Sequence, residues 1–216
     1  MQISSELNHA LQQVSGALGK AGTCWLVGGS CGLLLQNVHL DAMPRDIDIY
    51  TDEIHVKELH KLLIEYSVDE PALSETSNYR SILSHYKLDG YLTELVGSFR
   101  VRTHGSCYDV LVDEMLLLEA VTADFEGTSI PLMPLGHELV FNVLRGRADR
   151  YEAIAAAMKA NLPAHLPLLK RICNASSLSE QHIRQLEALL NCSGLANADS
   201  DPAQLEKRKE PRGNEN

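Results

Sequence analysis

Trp25-Leu26-Val27-Gly28-Gly29-Ser30, followed shortly by Arg45-Asp46-Ile47-Asp48-Ile49, is the part of this 216-residue chain that decides how it folds. The first run is apolar up to a glycine pair, the pattern of a buried strand that stops at a tight turn and opens a helix with Ser30 suited to cap it. Free N–H groups and the positive end of a helix dipole at such a turn suit a phosphate. In the second run, residues two apart on a strand share a face, so Asp46 and Asp48 point to one spot while Ile47 and Ile49 face the core. A phosphate cradle beside a carboxylate pair implies magnesium chemistry on a nucleotide.

Working outward, Leu7, Leu11, Val14 and Leu18 recur at helical spacing and predict an amphipathic helix over residues 3–20. Asp52 is placed to cap a helix running to about Tyr66. Residues 70–79, rich in Ser, Thr and Asn, read as a loop. Two strands, Ile82–Leu88 and Tyr91–Val101, then flank Asp89-Gly90, a strong hairpin signal. A short strand over 108–112, a helix over 113–121 and an extended piece over 129–133 lead to Pro134. Beyond it the pattern turns helical to about residue 160, breaking near Gly146, with further helices over 164–173 and 178–191. The last stretch, 195–216, is polar and charged with two leucines, a composition that predicts disorder.

Composition narrows the function classes. The apolar share, 44%, is ample for a buried core, and the net charge of −10 argues against a general electrostatic grip on nucleic acid. Local basic clusters remain at Arg100 with Arg102, at Arg145, Arg147 and Arg150, and at Lys170-Arg171. The five cysteines, Cys24, Cys31, Cys107, Cys173 and Cys192, lack paired metal-ligand spacing and read as buried thiols of a reducing compartment, with no zinc motif. The first twenty residues are unlike a signal peptide, and no apolar run reaches the ~18 residues of a membrane span. A cytoplasmic protein without a membrane partner is expected. The histidines form no metalloprotease pair, and Gly29-Ser30-Cys31-Gly32 lacks the spacing of a nucleophile elbow.

Leu26-Val27-Gly28-Gly29-Ser30 with Arg45-Asp46-Ile47-Asp48-Ile49 resembles the nucleotidyltransferase superfamily of DNA polymerase beta, the CCA-adding enzymes and the antibiotic nucleotidyltransferases. It is most similar to the small bacterial members, including the minimal nucleotidyltransferases of toxin–antitoxin systems. The family pattern needs a third carboxylate on a later strand, and Leu92-Thr93-Glu94-Leu95-Val96-Gly97 resembles that strand. Asp109 in Tyr108-Asp109-Val110 is the other choice. The resemblance covers roughly residues 20–155. It implies an α+β fold, a mixed β-sheet flanked by helices, with an αβ domain over 1–134, a helical segment over 135–194 packing on it, and the tail.

The same resemblance assigns Gly28, Gly29 and Ser30 to the triphosphate, Asp46 and Asp48 to metal, and Glu94 to metal and acceptor activation. Arg45 stands in for an arginine the family places earlier, and Arg147, with Arg145 as a further candidate, approaches the phosphates across a cleft closed by the C-terminal helices. The chain departs from the pattern at Ala42, at Pro44, at Asn142 where relatives carry lysine, and in the reversed order of Asp149 and Arg150. The implied activity is Mg2+- or Mn2+-dependent transfer of a nucleoside monophosphate, AMP from ATP, to a hydroxyl on a small molecule or protein rather than a nucleic acid. The alternative is a catalytically degenerate module that binds nucleotide or a partner chain, as in a toxin–antitoxin pair.

Overall fold

The computed structural model describes residues 3–125 and 127–196. Helix α1 (Ser5–Leu18) begins where Ser4 Oγ accepts the Leu7 N–H at 3.2 Å, and it buries Leu7, Ala10, Leu11, Val14 and Leu18 along one stripe. Strand β1 (Leu26–Gly28) enters α2 (Gly29–Leu35), and β2 (Asp46–Thr51) enters α3 (Glu53–Leu62). Ser30 is not the helix cap: Gly28 holds that position without a side-chain bond, because α2 already starts at Gly29.

Strands β3 (Ala72–Glu75), β4 (Tyr79–Leu88), β5 (Tyr91–Thr103), β6 (Ser106–Asp109), β7 (Val121–Phe125) and β8 (Thr128–Leu132) complete one sheet. Its order is β3-β4-β5-β2-β1-β8-β7, with β6 paired to β5. The β4–β5 hairpin turns at Asp89-Gly90, where φ is 44° and 88°, the double left-handed geometry that lets two residues reverse a twisted ribbon. The sheet is mixed: β1 and β2 are antiparallel, whereas β2–β5 and β1–β8 are parallel. The sequence reading took 70–79 as a loop, yet β3 pairs with β4 as an exposed edge strand. An edge strand with polar residues on both faces has no apolar alternation to betray it.

Helices lie against both faces. On β5, Gly97 approaches α3 so closely that a Cβ there would strike Val56, which places α3 over the face bearing Thr93, Leu95 and Gly97. Tyr50, on the same face as Asp46 and Asp48, meets Phe141 and His137 of α4 (Leu135–Leu144) edge-on, so α4 covers the carboxylate face. All ten residues of α4 are buried, an all-round burial that marks it as a central helix rather than a surface one. Its outer side is covered by α5 (Ala148–Lys159), α6 (Leu162–Ala175) and α7 (Glu180–Leu190).

Residues 112–119 form a π turn (Val112–Leu116) and a 3-10 turn (Leu117–Glu119) in place of the regular helix expected over 113–121. Their start is pinned from outside, since the Asp52 carboxylate accepts the N–H groups of Val112 and Asp113 at 3.2 and 2.9 Å. Leu195, at the edge of the expected disordered tail, is fully buried and its N–H donates to Glu187 Oε1 at 3.1 Å. The rest of that tail, from residue 197, lies outside the described residues. Among the described residues no helix is long and apolar enough to cross a membrane, and all five cysteines are unpaired.

Candidate active site

The register of β2 against β5 sets the site. Asp48 stands directly beside Glu94 and Asp46 beside Leu92, so the three carboxyls predicted to converge lie on neighbouring strands of one face. They line a cleft of about 380 Å3, within the range of small-ligand sites, together with Gly29, Ser30, Glu138, Asn142 and the three arginines Arg145, Arg147 and Arg150. Asp109 takes no part; it pairs with Arg100 across β5 and β6.

Three half-buried acids in one cleft repel each other. Burial, then the charges of Asp46 and Glu94, push the Asp48 carboxyl up to about 7, with Arg145 and Arg150 opposing. Burial also raises Glu94, and Asp46 adds to it while His85 and Arg145 oppose. His85 is held by Asp69, whose carboxylate takes both the His85 N–H and the Nδ1 atom at 2.6 Å, leaving Nε2 3.8 Å from Glu94 Oε1. A second histidine, His137, packs on the same face against Tyr50. His137 is a neutral core residue, fully buried, bonded to Tyr108 at 2.7 Å and driven down to about 3 by burial.

The glycine turn is built for contact with Asp48. Gly29 has φ +58°, and a Cβ there would collide with Asp48 Oδ2, so the aspartate carboxylate occupies the space that only glycine leaves. A Cβ at Gly28 would meet Tyr50, Glu138 and Met133 at 2.8–2.9 Å. The Gly29 N–H does not stand open; it donates to Glu138 Oε1 at 2.8 Å. Glu138 is a fully buried acid, raised to about 7 by burial and then by Asp48, with the Gly29 and Asn142 bonds opposing. Asn142 Nδ2 donates to Glu138 Oε2 at 3.2 Å and to the Glu138 carbonyl at 2.8 Å. The residue in the place of a family lysine is thus committed to holding Glu138.

The basic side of the cleft comes from the α4–α5 corner. Arg145 lies over the Phe141 ring at 4.9 Å, and Arg147 pairs with Asp149 at 2.8 Å. Arg150 is largely buried, and its Nη1 has no hydrogen-bond partner among the described residues. An orphaned guanidinium donor beside Ser30 and Asp46 is costly unless an anion answers it. Arg45 is exposed and faces an adjoining depression shared with Asp46, Arg147 and Arg150 rather than the cleft itself. Sequence reasoning did not single out Glu138 or Tyr50; their setting in a predominantly apolar helix and at the end of β2 gave no signal of a polar role.

No family model and no curated protein matches the sequence. Solved structures do. A candidate nucleotidyltransferase of Thermotoga maritima is 25% identical with a TM-score of 0.60, the match covering 74% of this chain and 97% of that one. The antibiotic-resistance factor ANT(2'')-Ia is 9% identical with a TM-score of 0.51, over 88% of this chain and 97% of that one, and it has also been solved in complex with adenylyl-2''-tobramycin. With its mixed sheet, its glycine turn against an aspartate and its three carboxyls on neighbouring strands, the chain has the fold of the nucleotidyltransferase superfamily.

Proposed function

We propose that the protein is an Mg2+- or Mn2+-dependent nucleotidyltransferase that moves a nucleoside monophosphate, AMP from ATP, to a hydroxyl acceptor and releases pyrophosphate. The convergence of Asp46, Asp48 and Glu94 on adjacent strands carries the reading. A hard divalent cation takes one or two carboxylates plus phosphate oxygens and water, and the mutual repulsion of these acids fits such an ion. When bound, it would offset charge on the triphosphate and lower the pKa of the acceptor hydroxyl.

The chain's own residues divide the remaining work. Asp46 and Asp48 hold the metal, Gly28 and Gly29 shape the turn, and Ser30, Arg147 and the free Nη1 of Arg150 take phosphate oxygens. Arg45, on the adjoining depression, reaches the outer phosphates. Glu94 accepts the acceptor's proton, and its burial brings its affinity for that proton closer to the working pH. His85, oriented by Asp69, offers the proton a way out. Glu138 fixes the glycine turn through the Gly29 N–H, so the position of Asp48 depends on α4. That coupling supports treating 1–134 and 135–194 as two segments of one folding unit.

The −10 charge favours a small-molecule or protein acceptor over nucleic acid. The second reading, a nucleotide- or partner-binding module without transfer, draws on Asn142 and on the Gly29 N–H being taken by Glu138. One experiment separates them: incubation with α-phosphate-labelled nucleotides, Mg2+ or Mn2+ and a cell extract, beside calorimetry of ATP binding with metal and with EDTA. Label transferred to an acceptor supports the enzyme. Metal-dependent binding without transfer under all conditions supports the module, and equal affinity in EDTA removes the proposed metal site from both.

A further inference from the structure

A second cluster of metal-ligating side chains lies away from the cleft. Cys24, His55 and Asp113 bring one ligand atom each within 4.8 Å of one another. The strand directions place them at the far end of the central strands. Gly28 and Asp48, paired in register, mark the cleft end of β1 and β2, whereas Cys24 precedes β1 and its carbonyl accepts the Thr51 hydroxyl at 2.7 Å where β2 ends. His55 follows on α3, and Asp113 sits in the π turn.

We propose that Cys24, His55 and Asp113 form a transition-metal site of the zinc class, separate from the carboxylate cleft. The donors are a thiol, an imidazole and a carboxylate, the borderline-soft set that suits zinc and not magnesium. Asp113 Oδ2 lies 2.6 Å from His55 Nε2, while Asp113 Oδ1 is buried without a hydrogen-bond partner among the described residues. The Cys24 thiol lies against the same carboxylate, so thiol, imidazole and carboxylate already converge on one point. The charge of the surroundings agrees, since Asp52 adds a second carboxylate near Cys24. Asp52 also bonds the Val112 and Asp113 N–H groups, a supporting shell that fixes the ligand-bearing turn. All three ligands are partly exposed, so an ion can enter. Binding would replace the thiol proton by the metal–sulfur bond and part the His55–Asp113 hydrogen bond, with ligand atoms settling roughly 3.2–3.6 Å apart around a tetrahedral ion. The three protein ligands leave a fourth position for water.

Cobalt(II) tests this directly, because thiolate ligation gives a near-ultraviolet charge-transfer band and tetrahedral geometry gives intense visible bands. The full chain, stripped with a chelator and then saturated with Mg2+ to occupy the carboxylate cleft, should take up one Co2+ per molecule with both signatures, and Zn2+ should displace it. Cys24→Ala should lose the charge-transfer band; His55→Ala and Asp113→Asn should weaken binding by tenfold or more; Asp48→Asn should leave the bands in place. Thermal melts followed by circular dichroism identify any variant that fails to fold. The unsubstituted chain supplies an independent reading: Zn2+ should slow alkylation of Cys24, located by peptide mass, by at least tenfold. Absence of a charge-transfer band, its persistence in Cys24→Ala, or an alkylation rate indifferent to Zn2+ overturns the proposal.

Discussion

Replacing Asp48 by asparagine should stabilise this protein at alkaline pH in the absence of metal, although it destroys a proposed metal ligand. Asp48 is raised from 3.8 to about 7 by burial and by Asp46 and Glu94. At about 1.4 kcal/mol per pH unit, the strain on its charged form is at most about 4 kcal/mol. The side chain keeps partial contact with solvent in the cleft, so about half of that, ~2 kcal/mol, is the expected effect. The sign follows from proton linkage. A carboxyl raised on folding binds more protons in the folded state, so the folded chain loses stability as pH climbs from about 4 through 7 and carries the whole cost above it. In EDTA at pH 8, Asp48→Asn should therefore melt about 4–8 °C above the unsubstituted protein, and at pH 5, only about one unit above the unfolded-state value of 3.8, the offset should fall to roughly a third of that. Added Mg2+ should raise the midpoint of the unsubstituted protein at pH 8 and leave the variant unmoved. A variant that melts lower at pH 8, or shows the same offset at both pH values, would refute the account of Asp48 as a charge held under repulsion.

Gly29→Ala should cost only about 1–2 kcal/mol of stability, since alanine at φ +58° is strained and the colliding atom is the movable end of Asp48, yet it should abolish metal-dependent ATP binding measured by calorimetry. Normal ATP affinity in that variant would dissociate the turn from the metal site. Glu94→Gln should remove transfer while leaving nucleotide binding largely intact, and Asp109→Asn should do neither; single-turnover transfer and calorimetry together read both, and the opposite ranking would move the third carboxyl to β6. Arg150→Ala should weaken ATP binding by tenfold or more, against a few-fold for Arg45→Ala, and equal losses would argue against the orphaned guanidinium as a phosphate ligand. A fragment ending at residue 134 lacks α4, bares the Tyr50 face of the sheet and should aggregate; a soluble fragment with a cooperative melt would show that the helices are an independent module.

Much of the fold could be read from local pattern. The apolar run into Gly28-Gly29, the alternation of Asp46-Ile47-Asp48-Ile49 and the Asp89-Gly90 hairpin each report short-range physics: which face a residue presents, and which backbone angles it tolerates. These features predicted β1, β2 and the β4–β5 hairpin that carries Glu94, whereas the choice of Glu94 over Asp109 as third carboxyl leaned on the family resemblance. Where local pattern is silent the reading missed, as at the exposed edge strand β3 and at the π turn whose start Asp52 ties down from sixty residues away. Tertiary structure alone decided what the site is made of. Glu138 reads as one of three polar residues in a largely apolar helix until α4 lands on the carboxylate face and delivers it to the Gly29 N–H. Arg150 outranks Arg45 only because the corner between α4 and α5 buries it beside Ser30. Cys24, His55 and Asp113 have no motif in common and meet because antiparallel β1 and β2 carry their ends to one place. Periodicity reveals that a side chain faces inward, but the charge or ligand it will meet there belongs to residues far along the chain, and only packing brings them into contact.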